Sequence, residues 1–228
     1  MYCAQLALSL QTHNKTCDYE ENYVLFVVLS TLMLFATSCY KPNEPITETP
    51  TDTIPFDDEP VSILFSVNGV YIKMLEVEGG TFNMGAYSDD KFAADAEKPK
   101  HTVTLSTFFI GETEVPQVLW QAVMGNNPSE FKGDRIPVEN VSWNDCQDFI
   151  AELNHLLSAQ LDGKHFRLPT EAEWEFAARG GNKSKGYTYS GDNNIERVGW
   201  YEGNSYSQPH RTNNLSPNEL GIYDMSGN

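Results

Sequence analysis

The feature that most constrains the fold is residues 167–181, which read RLPTEAEWEFAARGG. Thr170 and Glu173 stand three residues apart, the spacing of a capping box, in which two side chains accept hydrogen bonds from backbone N–H groups at the start of a helix. Pro169 ends an extended segment just before this cap, and two glycines stop the helix at its other end. The spacing predicts a short capped helix with Trp174 as its anchor. The predicted apolar face consists of Trp174, Ala177 and Ala178.

The charge balance excludes one class of partner. The chain has 228 residues and a formal net charge of -17, with 15 Lys and Arg against 32 Asp and Glu. Nucleic-acid binding requires clustered Lys and Arg that neutralise phosphates, so we expect no nucleic-acid partner. The length predicts one domain with appendages, and the composition is typical of a soluble, acidic exported protein.

An apolar run near the N-terminus indicates export. Residues 23–38, YVLFVVLSTLMLFATS, carry no charge and end at Cys39. The run is short for a membrane span and typical of a signal-peptide core, and FATSC resembles a bacterial lipobox in which Cys39 becomes the lipidated first residue. A signal anchor in which Cys39 is incidental is the alternative. Glu20 and Glu21 precede the run where positive charge is expected, which raises the further alternative of a misassigned start.

These features divide the chain into a signal peptide at 1–38, a lipidated acidic tether at 39–60 and a folded domain at 61–228. The tether is rich in proline and acids and has too little apolar surface to fold. Of the four cysteines, Cys146 alone remains in the folded part once the leader is removed and Cys39 is lipidated. We therefore expect no internal disulfide.

Short periodic segments in the folded part predict an α+β fold with low regular secondary structure. Asn68-Gly69, between two strand-like runs, predicts a β-hairpin. A helix is predicted from Pro116, and short strands are predicted at 186–190 and 198–201 within a long loop region rich in Gly, Asn, Ser and Tyr.

A longer helix is predicted to begin after Ser142, which has the composition and position of a helix cap, with Asp145 three residues on. Cys146 lies on the apolar stripe of this helix, so we expect a buried core residue rather than a catalytic thiol. The whole predicted stripe consists of Trp143, Cys146, Phe149, Ile150, Leu153 and Leu157.

Five motifs follow one another in the folded part of the sequence. They are GGTFNMG at 79–85, EKPKHTVTLSTFFIGETEV at 97–115, PVENVSWNDCQDF at 137–149, RLPTEAEWEFAARGG at 167–181 and PNELGIYDMSGN at 217–228. In this order they resemble the formylglycine-generating enzyme family, the sulfatase-modifying factor domain, over roughly residues 61–228. The resemblance implies the formylglycine-generating-enzyme fold, which is similar to C-type lectin-like architecture and would be incomplete here at the C-terminus.

The resemblance implies a chemistry that this sequence does not carry in full. Enzymes of the family oxidise a sulfatase cysteine to formylglycine with copper held by a pair of cysteines. That pair lies beyond the motif at which this sequence stops, so we expect no catalytic residue here, and copper only in a full-length catalytic form. Cys146 cannot replace the pair, because it is a single cysteine on a helix stripe.

The resemblance also implies structural calcium. By position, the Asp224 carboxylate and the Gly227 carbonyl would supply part of one site, and such hard oxygen ligands suit calcium. Asp224 as a carboxylate that caps a loop is the alternative. The family's second calcium site is not expected.

The sequence therefore predicts an envelope lipoprotein with a sulfatase-modifying factor domain, and the alternative is a non-catalytic, lectin-like binding or structural module. Expected partners are the membrane, through the lipid anchor, and a sulfatase or another envelope protein. The expected location is exported and membrane-anchored, facing the periplasm or the cell surface. An iron-dependent sulfoxide synthase, which shares the domain, is disfavoured because no His-bearing helical region precedes residue 61.

Overall fold

The computed structural model describes residues 6–10, 59–86, 91 and 93–228. The described residues all belong to one compact unit. The predicted signal core, Cys39 and nearly all of the tether lie outside the described residues. In chain order the strands and helices are β1 (Ala7–Leu10), β2 (Ser62–Val67), β3 (Val70–Val77), β4 (Gly80–Met84), β5 (His101–Leu105), β6 (Phe108–Gly111), α1 (Gln117–Met124), α2 (Trp143–Leu156), β7 (Lys164–Arg167) and α3 (Glu171–Ala178).

Five strands form one antiparallel sheet in the order β2-β3-β6-β1-β7, and β4 pairs with β5 in a separate ribbon. β2 and β3 pair around Asn68 and Gly69, whose φ angles are 49° and 81°. Positive φ at both loop residues is the type I′ geometry, which matches the twist of the flanking strands. The predicted hairpin is confirmed.

Strand β1 lies inside the sheet, between β6 and β7. Ala7 pairs with Ile110 on one side and Arg167 on the other. Leu6, Ala7 and Leu8 are 2%, 0% and 1% exposed. The structure thus differs from the expectation that all of residues 1–38 lie outside the fold, because the apolar segment at 6–10 reads as part of a leader when only its position in the chain is considered. Cleavage before Cys39 stays a prediction.

Helix α2 begins with the predicted capping box: Ser142 Oγ accepts from the Asp145 N–H at 3.2 Å, and Asp145 Oδ2 accepts from the Ser142 N–H at 2.7 Å. The predicted stripe is buried at Cys146, Phe149, Ile150, Leu153 and Leu157. Trp143, at the first position, is instead 57% exposed. Among the described residues, no helix is long and apolar enough to cross a membrane.

Helix α3 has the predicted capping box but a different buried face. Thr170 Oγ1 accepts from the Glu173 N–H at 3.2 Å, and Glu173 Oε2 accepts from the Thr170 N–H at 2.8 Å. Arg167 binds the Glu173 carboxylate with both terminal nitrogens, at 2.7 and 2.6 Å. These bonds turn Glu173 inward, so that Phe176 is 3% exposed and Trp174 is 37% exposed. The prediction of Trp174 as the anchor was wrong, and Phe176 has that role.

Amide side chains cap both edge strands of the sheet. Gln160 Oε1 accepts from the Ser66 N–H of β2 at 3.2 Å, and Gln160 Nε2 donates to the Ser66 carbonyl at 2.9 Å. At the opposite edge, Asn154 Oδ1 accepts from the Phe166 N–H of β7 at 2.7 Å, and Asn154 Nδ2 donates to the Phe166 carbonyl at 2.9 Å. Each amide thereby satisfies one donor and one acceptor that an edge strand otherwise leaves open.

Buried apolar residues form two clusters. The larger cluster lies among α1, α2 and the sheet, where Trp120 stacks on Phe149 at 4.9 Å and Phe65 meets Phe166 edge to face at 5.1 Å. The smaller cluster joins α3 to strands β3 and β6 and to the C-terminal loops. Its buried members are Leu75, Val77, Phe108, Ile110, Phe176, Ala177, Leu220, Ile222 and Met225.

Beyond α3, residues 179–228 form loops and short 3₁₀ turns. The strands predicted at 186–190 and 198–201 do not form. Some of their backbone donors bond to side chains: the Ser190 N–H donates to Ser226 Oγ at 2.8 Å, and the Tyr201 N–H donates to Asn204 Oδ1 at 2.8 Å. Others bond to carbonyls of the loops, as the Trp200 N–H does to the Gly227 carbonyl at 3.0 Å, so loop and side-chain acceptors replace the missing neighbouring strand.

Candidate functional site

Three side chains meet where the loop after β6 approaches the C-terminal segment, and we call Glu114, Asp224 and Asn228 the acid cluster. Asn228 Nδ2 donates to Glu114 Oε2 at 3.1 Å. Burial, together with the nearby charge of Asp224, raises the pKa of the Glu114 carboxyl to about 8, against the opposing effect of the Asn228 bond. Glu114 therefore holds a proton at neutral pH.

Asp224 is held in a left-handed turn conformation with φ 63°. Its Oδ2 accepts from the Asn213 N–H at 2.9 Å, whereas its Oδ1 is buried without a hydrogen-bond partner. Burial raises the pKa of Asp224 to about 6, against the opposing effect of the Asn213 bond. At pH 7 the Asp224 carboxyl is therefore ionised and the Glu114 carboxyl is protonated, because their different surroundings separate the two pKa values.

Asn228 connects the acid cluster to an aromatic pair. Its Oδ1 accepts from the His210 N–H at 2.7 Å, and its Nδ2 donates to the His210 carbonyl at 3.0 Å. The His210 ring stacks on Trp200 with centroids 3.8 Å apart and planes inclined by 16°. His210 Nε2 lies 3.0 Å from the Ser205 carbonyl, which fixes the ring from the other end.

A cavity of about 360 Å³ opens beside this stack, and we call it the Trp200 cavity. Glu139 in its wall accepts hydrogen bonds through Oε1 from the N–H groups of Glu130 and of Phe131, the latter at 2.8 Å. The wall therefore combines aromatic rings with a carboxylate that the backbone holds in place. Residues in the wall include Phe131, Glu139, Trp200, Tyr201, Glu202 and Asn228.

Glu114 and Asn213 line a second, larger cavity of about 570 Å³. Lys73 and Glu112 in its wall form an ion pair at 2.8 Å. The outer face of the β2–β3 hairpin contributes Tyr71, which is 69% exposed. Because Asn228 lines the Trp200 cavity, its bond to Glu114 joins the walls of the two cavities.

The two predicted calcium ligands lie in one turn, where the Gly227 N–H faces the Asp224 carbonyl at 3.5 Å. Asp224 Oδ1 is a buried oxygen without a partner and suits a cation. The Gly227 carbonyl already accepts from the Trp200 N–H at 3.0 Å. Within the described residues, no group of three or more His, Cys, Asp or Glu could hold a metal. These two residues do not form a site by themselves, and calcium stays a prediction.

Cys146 is buried at 4% exposure in α2, as predicted. It belongs to the larger apolar cluster, together with Phe149 and Trp120. A catalytic thiol requires access to substrate and an environment that favours the thiolate. The buried position of Cys146 does not provide that access.

Two buried amides hold the loops around the site, and sequence reasoning missed both. Gln117 begins α1, one residue after the predicted start at Pro116. Its Nε2 donates to the Phe131 carbonyl at 2.7 Å, and its Oε1 accepts from the Gly133 N–H at 3.1 Å. This amide fixes the loop that carries Phe131 into the Trp200 cavity.

Asn218 plays the same part in the C-terminal segment. Its Nδ2 donates to the carbonyl of Ala177 at 2.8 Å and to Ser190 Oγ at 3.1 Å, and its Oδ1 accepts from the N–H groups of Leu220 and Ile222 at 3.0 and 3.2 Å. All four hydrogen bonds that the amide can make are formed. The signal that the sequence offered for both positions was an Asn or Gln next to a turn motif, since such amides are hydrogen-bonded when they are buried.

Residues 66–228 match the family described as Sulfatase-modifying factor enzyme 1-like domain, FGE-sulfatase. The chain belongs to this family. The Chaperone protein LppX of Paenibacillus barcinonensis is 37% identical over 199 residues, which cover 67% of this chain and 67% of that protein. The Formylglycine-generating enzyme of Thermomonospora curvata is 27% identical over 68% of each chain. The Inactive C-alpha-formylglycine-generating enzyme 2 of Bos taurus is 26% identical over 71% of this chain and 70% of that protein.

Solved structures confirm the predicted fold class. Treponema denticola variable protein 1 is 33% identical with a TM-score of 0.61, and the match covers 72% of this chain and 73% of that chain. PvdO from Pseudomonas aeruginosa is 25% identical with a TM-score of 0.57, over 74% of this chain and 72% of that chain. The α+β formylglycine-generating-enzyme fold, which is C-type lectin-like, is the fold of this chain.

Proposed function

We propose that this chain is an envelope lipoprotein whose sulfatase-modifying factor domain binds another exported protein without oxidising it. The observation that carries the proposal is the location of Cys146. It is the one cysteine among the described residues, and it is buried in the larger apolar cluster. The described part of the chain therefore offers no pair of accessible thiols for copper.

The names of relatives support a non-catalytic role. One relative is named as a chaperone protein, LppX, and the proteins of Bos taurus and Mus musculus are named as inactive formylglycine-generating enzymes. A function in binding or holding another protein is consistent with these names. Because the same fold occurs in both active and inactive proteins, the residues of the site, and not the fold, determine the function.

The Trp200 cavity and its rim are the proposed binding surface. Tyr201 and Tyr206 are 41% and 87% exposed on loops beside the cavity, and Trp200 is positioned by its stack on His210. Large aromatic side chains that stand exposed on well-fixed loops are enriched in protein interfaces. The partner is a sulfatase or another envelope protein.

A copper-dependent cysteine oxidase is the second candidate function. Relatives from Thermomonospora curvata and Streptomyces coelicolor are named formylglycine-generating enzymes, at 27% and 29% identity. Under this proposal copper belongs to a full-length catalytic form. Because Cys146 is buried, the oxidase would depend on cysteines other than this one.

Site-specific photocrosslinking in cells that export the chain tests the binding role. A photoreactive residue in place of Tyr201 is expected to give a discrete protein adduct, whereas one in place of the exposed Glu152 on α2 is expected to give none. Mass spectrometry of the adduct then shows whether a cysteine of the partner has become formylglycine. An unmodified partner supports binding alone, a formylglycine supports the oxidase, and equal labelling from both positions contradicts the proposed surface.

The membrane anchor and the cation are proposed separately. Cleavage before Cys39 and its lipidation would hold the domain at the membrane, facing the periplasm or the cell surface. The intact mass of protein extracted from membranes tests this, because residues before Cys39 in the extracted protein would contradict it. Calcium at Asp224 is tested by the shift in melting temperature on adding calcium, with Asp224→Asn as the comparison.

A further inference from the structure

Residues 6–10 occupy a space between β6 and β7 that we call the strand slot. Ala7 and Leu8 pair with β6, and all four residues of Ala7–Leu10 pair with β7. The Gly111 N–H also donates to the Leu6 carbonyl at 2.8 Å. An empty slot would leave two rows of backbone donors and acceptors unpaired in the middle of the sheet, which is the condition that recruits an additional strand.

The slot accepts apolar side chains on both faces of the sheet. Leu6 and Leu8 belong to the larger apolar cluster. Ala7, which stands between them in the sequence, is also fully buried. Ser9 Oγ lies 3.0 Å from His165 Nε2 on β7, which adds one polar contact near the end of the strand. This pattern selects a short extended segment with leucines two residues apart and a small residue between them.

In the sequence, residues 11–58 connect the strand to the rest of the domain. A connection of that length can span on the order of 150 Å when extended, so it does not impose the register of the strand. The contacts inside the slot therefore determine how residues 6–10 are bound. Because amide side chains cap both outer edges, the slot is also where this sheet accepts a strand.

We propose that the strand slot is an acceptor site for an extended segment that need not be covalently joined to the domain, and that its occupant is residues 6–10 of this sequence. In an intact chain the segment comes from the same molecule. In a cut chain it stays bound by the slot alone, or it is supplied by a second copy.

The proposal has a direct consequence for processing. Cleavage before Cys39 would separate residues 6–10 from the domain that contains the slot. The exported domain would then lack residues 6–10, and its slot would be open to another extended segment of the same pattern. The slot itself does not depend on whether Cys39 is lipidated.

The test uses the full chain with a sequence-specific protease site inserted between residues 45 and 50. After cleavage, size-exclusion chromatography shows whether the N-terminal fragment elutes with the domain. A fluorescent peptide of residues 1–11 is then added, and its anisotropy reports binding. A Leu8→Pro peptide lacks one N–H in the strand, and a Tyr2→Pro peptide carries the same substitution outside it.

Co-elution of the fragment, or saturable binding of the native peptide, supports the proposal. The Leu8→Pro peptide is expected to bind about 100-fold more weakly than the native peptide, because proline removes a ladder hydrogen bond and clashes within a central strand, and the Tyr2→Pro peptide should bind within about threefold. Two results would overturn the proposal: release of the fragment with no binding of the native peptide, or equal binding of the native and Leu8→Pro peptides.

Discussion

The Glu114 carboxyl provides a quantitative test of the acid cluster. Its ordinary pKa is 4.5, and burial raises it to about 8 in the folded chain. Between these values the folded state holds a proton that the unfolded state has released, so the free energy of unfolding falls as pH rises. One such group contributes a slope of about -1.4 kcal/mol per pH unit. Glu114→Gln keeps an acceptor for Asn228 but cannot ionise, so the variant lacks this slope.

The measurement is urea unfolding of parent and variant at pH 6.5, 7.0 and 7.5, with a chelator present. This window lies above the pKa of about 6 for Asp224. Over it, the stability of Glu114→Gln relative to the parent is expected to rise by about 1 kcal/mol. Glu152→Gln, at an exposed position on α2, is the matched control, and its free energy of unfolding should change with pH as that of the parent does. A Glu114→Gln profile that also runs parallel to the parent would refute the reasoning.

Three further experiments, two of them substitutions and one a labelling measurement, test the residues that frame the site. Asn218→Ala should lower the free energy of unfolding by about 3 kcal/mol or more, since it leaves the buried N–H groups of Leu220 and Ile222 unpaired; a loss below about 1 kcal/mol in urea unfolding would contradict this. Arg167→Lys should lower the free energy of unfolding by about 1–2 kcal/mol at pH 7, because lysine cannot make the bidentate contact that arginine makes with Glu173. Burial alone would raise the pKa of Glu173, but the hydrogen bonds from Arg167 and Thr170 outweigh burial and lower the pKa. The difference in stability between the parent and Arg167→Lys, measured by thermal unfolding, should therefore shrink as the pH falls from 4.5 through the pKa of Glu173 in the folded chain. In a variant with the other three cysteines changed to serine, Cys146 should react with a thiol reagent at least about 100-fold more slowly in the folded chain than in urea; fast labelling of the folded chain would disprove its core role.

Local sequence signals predicted the parts of the fold that local forces determine. The capping boxes at Ser142 and Thr170 and the turn at Asn68-Gly69 form as expected, because each depends on residues within four positions of one another. The motifs also predicted the fold family. The burial of Trp174 was mispredicted, since helical spacing does not reveal that Arg167 draws Glu173 inward.

The parts that sequence reasoning missed depend on contacts between distant residues. Strand β1 pairs with residues more than 90 positions away, and nothing in the segment itself distinguishes a central strand from a leader. Asp224 was predicted as a site residue, but Glu114 was not, because the two acids are far apart in sequence and become neighbours only through the fold. The connection between the two cavities is likewise visible only in the structure, where Asn228 in the wall of one cavity donates to Glu114 in the wall of the other.

The amides at Asn154 and Gln160 limit how these molecules can associate. A fibril of stacked chains grows when the edge strand of one molecule offers free N–H and C=O groups in the spacing that the next molecule requires. Each amide occupies one such pair of groups within its own chain, so an approaching strand would first have to break two short-range bonds. Two uncharged side chains thus oppose edge-to-edge pairing of the five-stranded sheet, in addition to the repulsion between negatively charged copies of the chain.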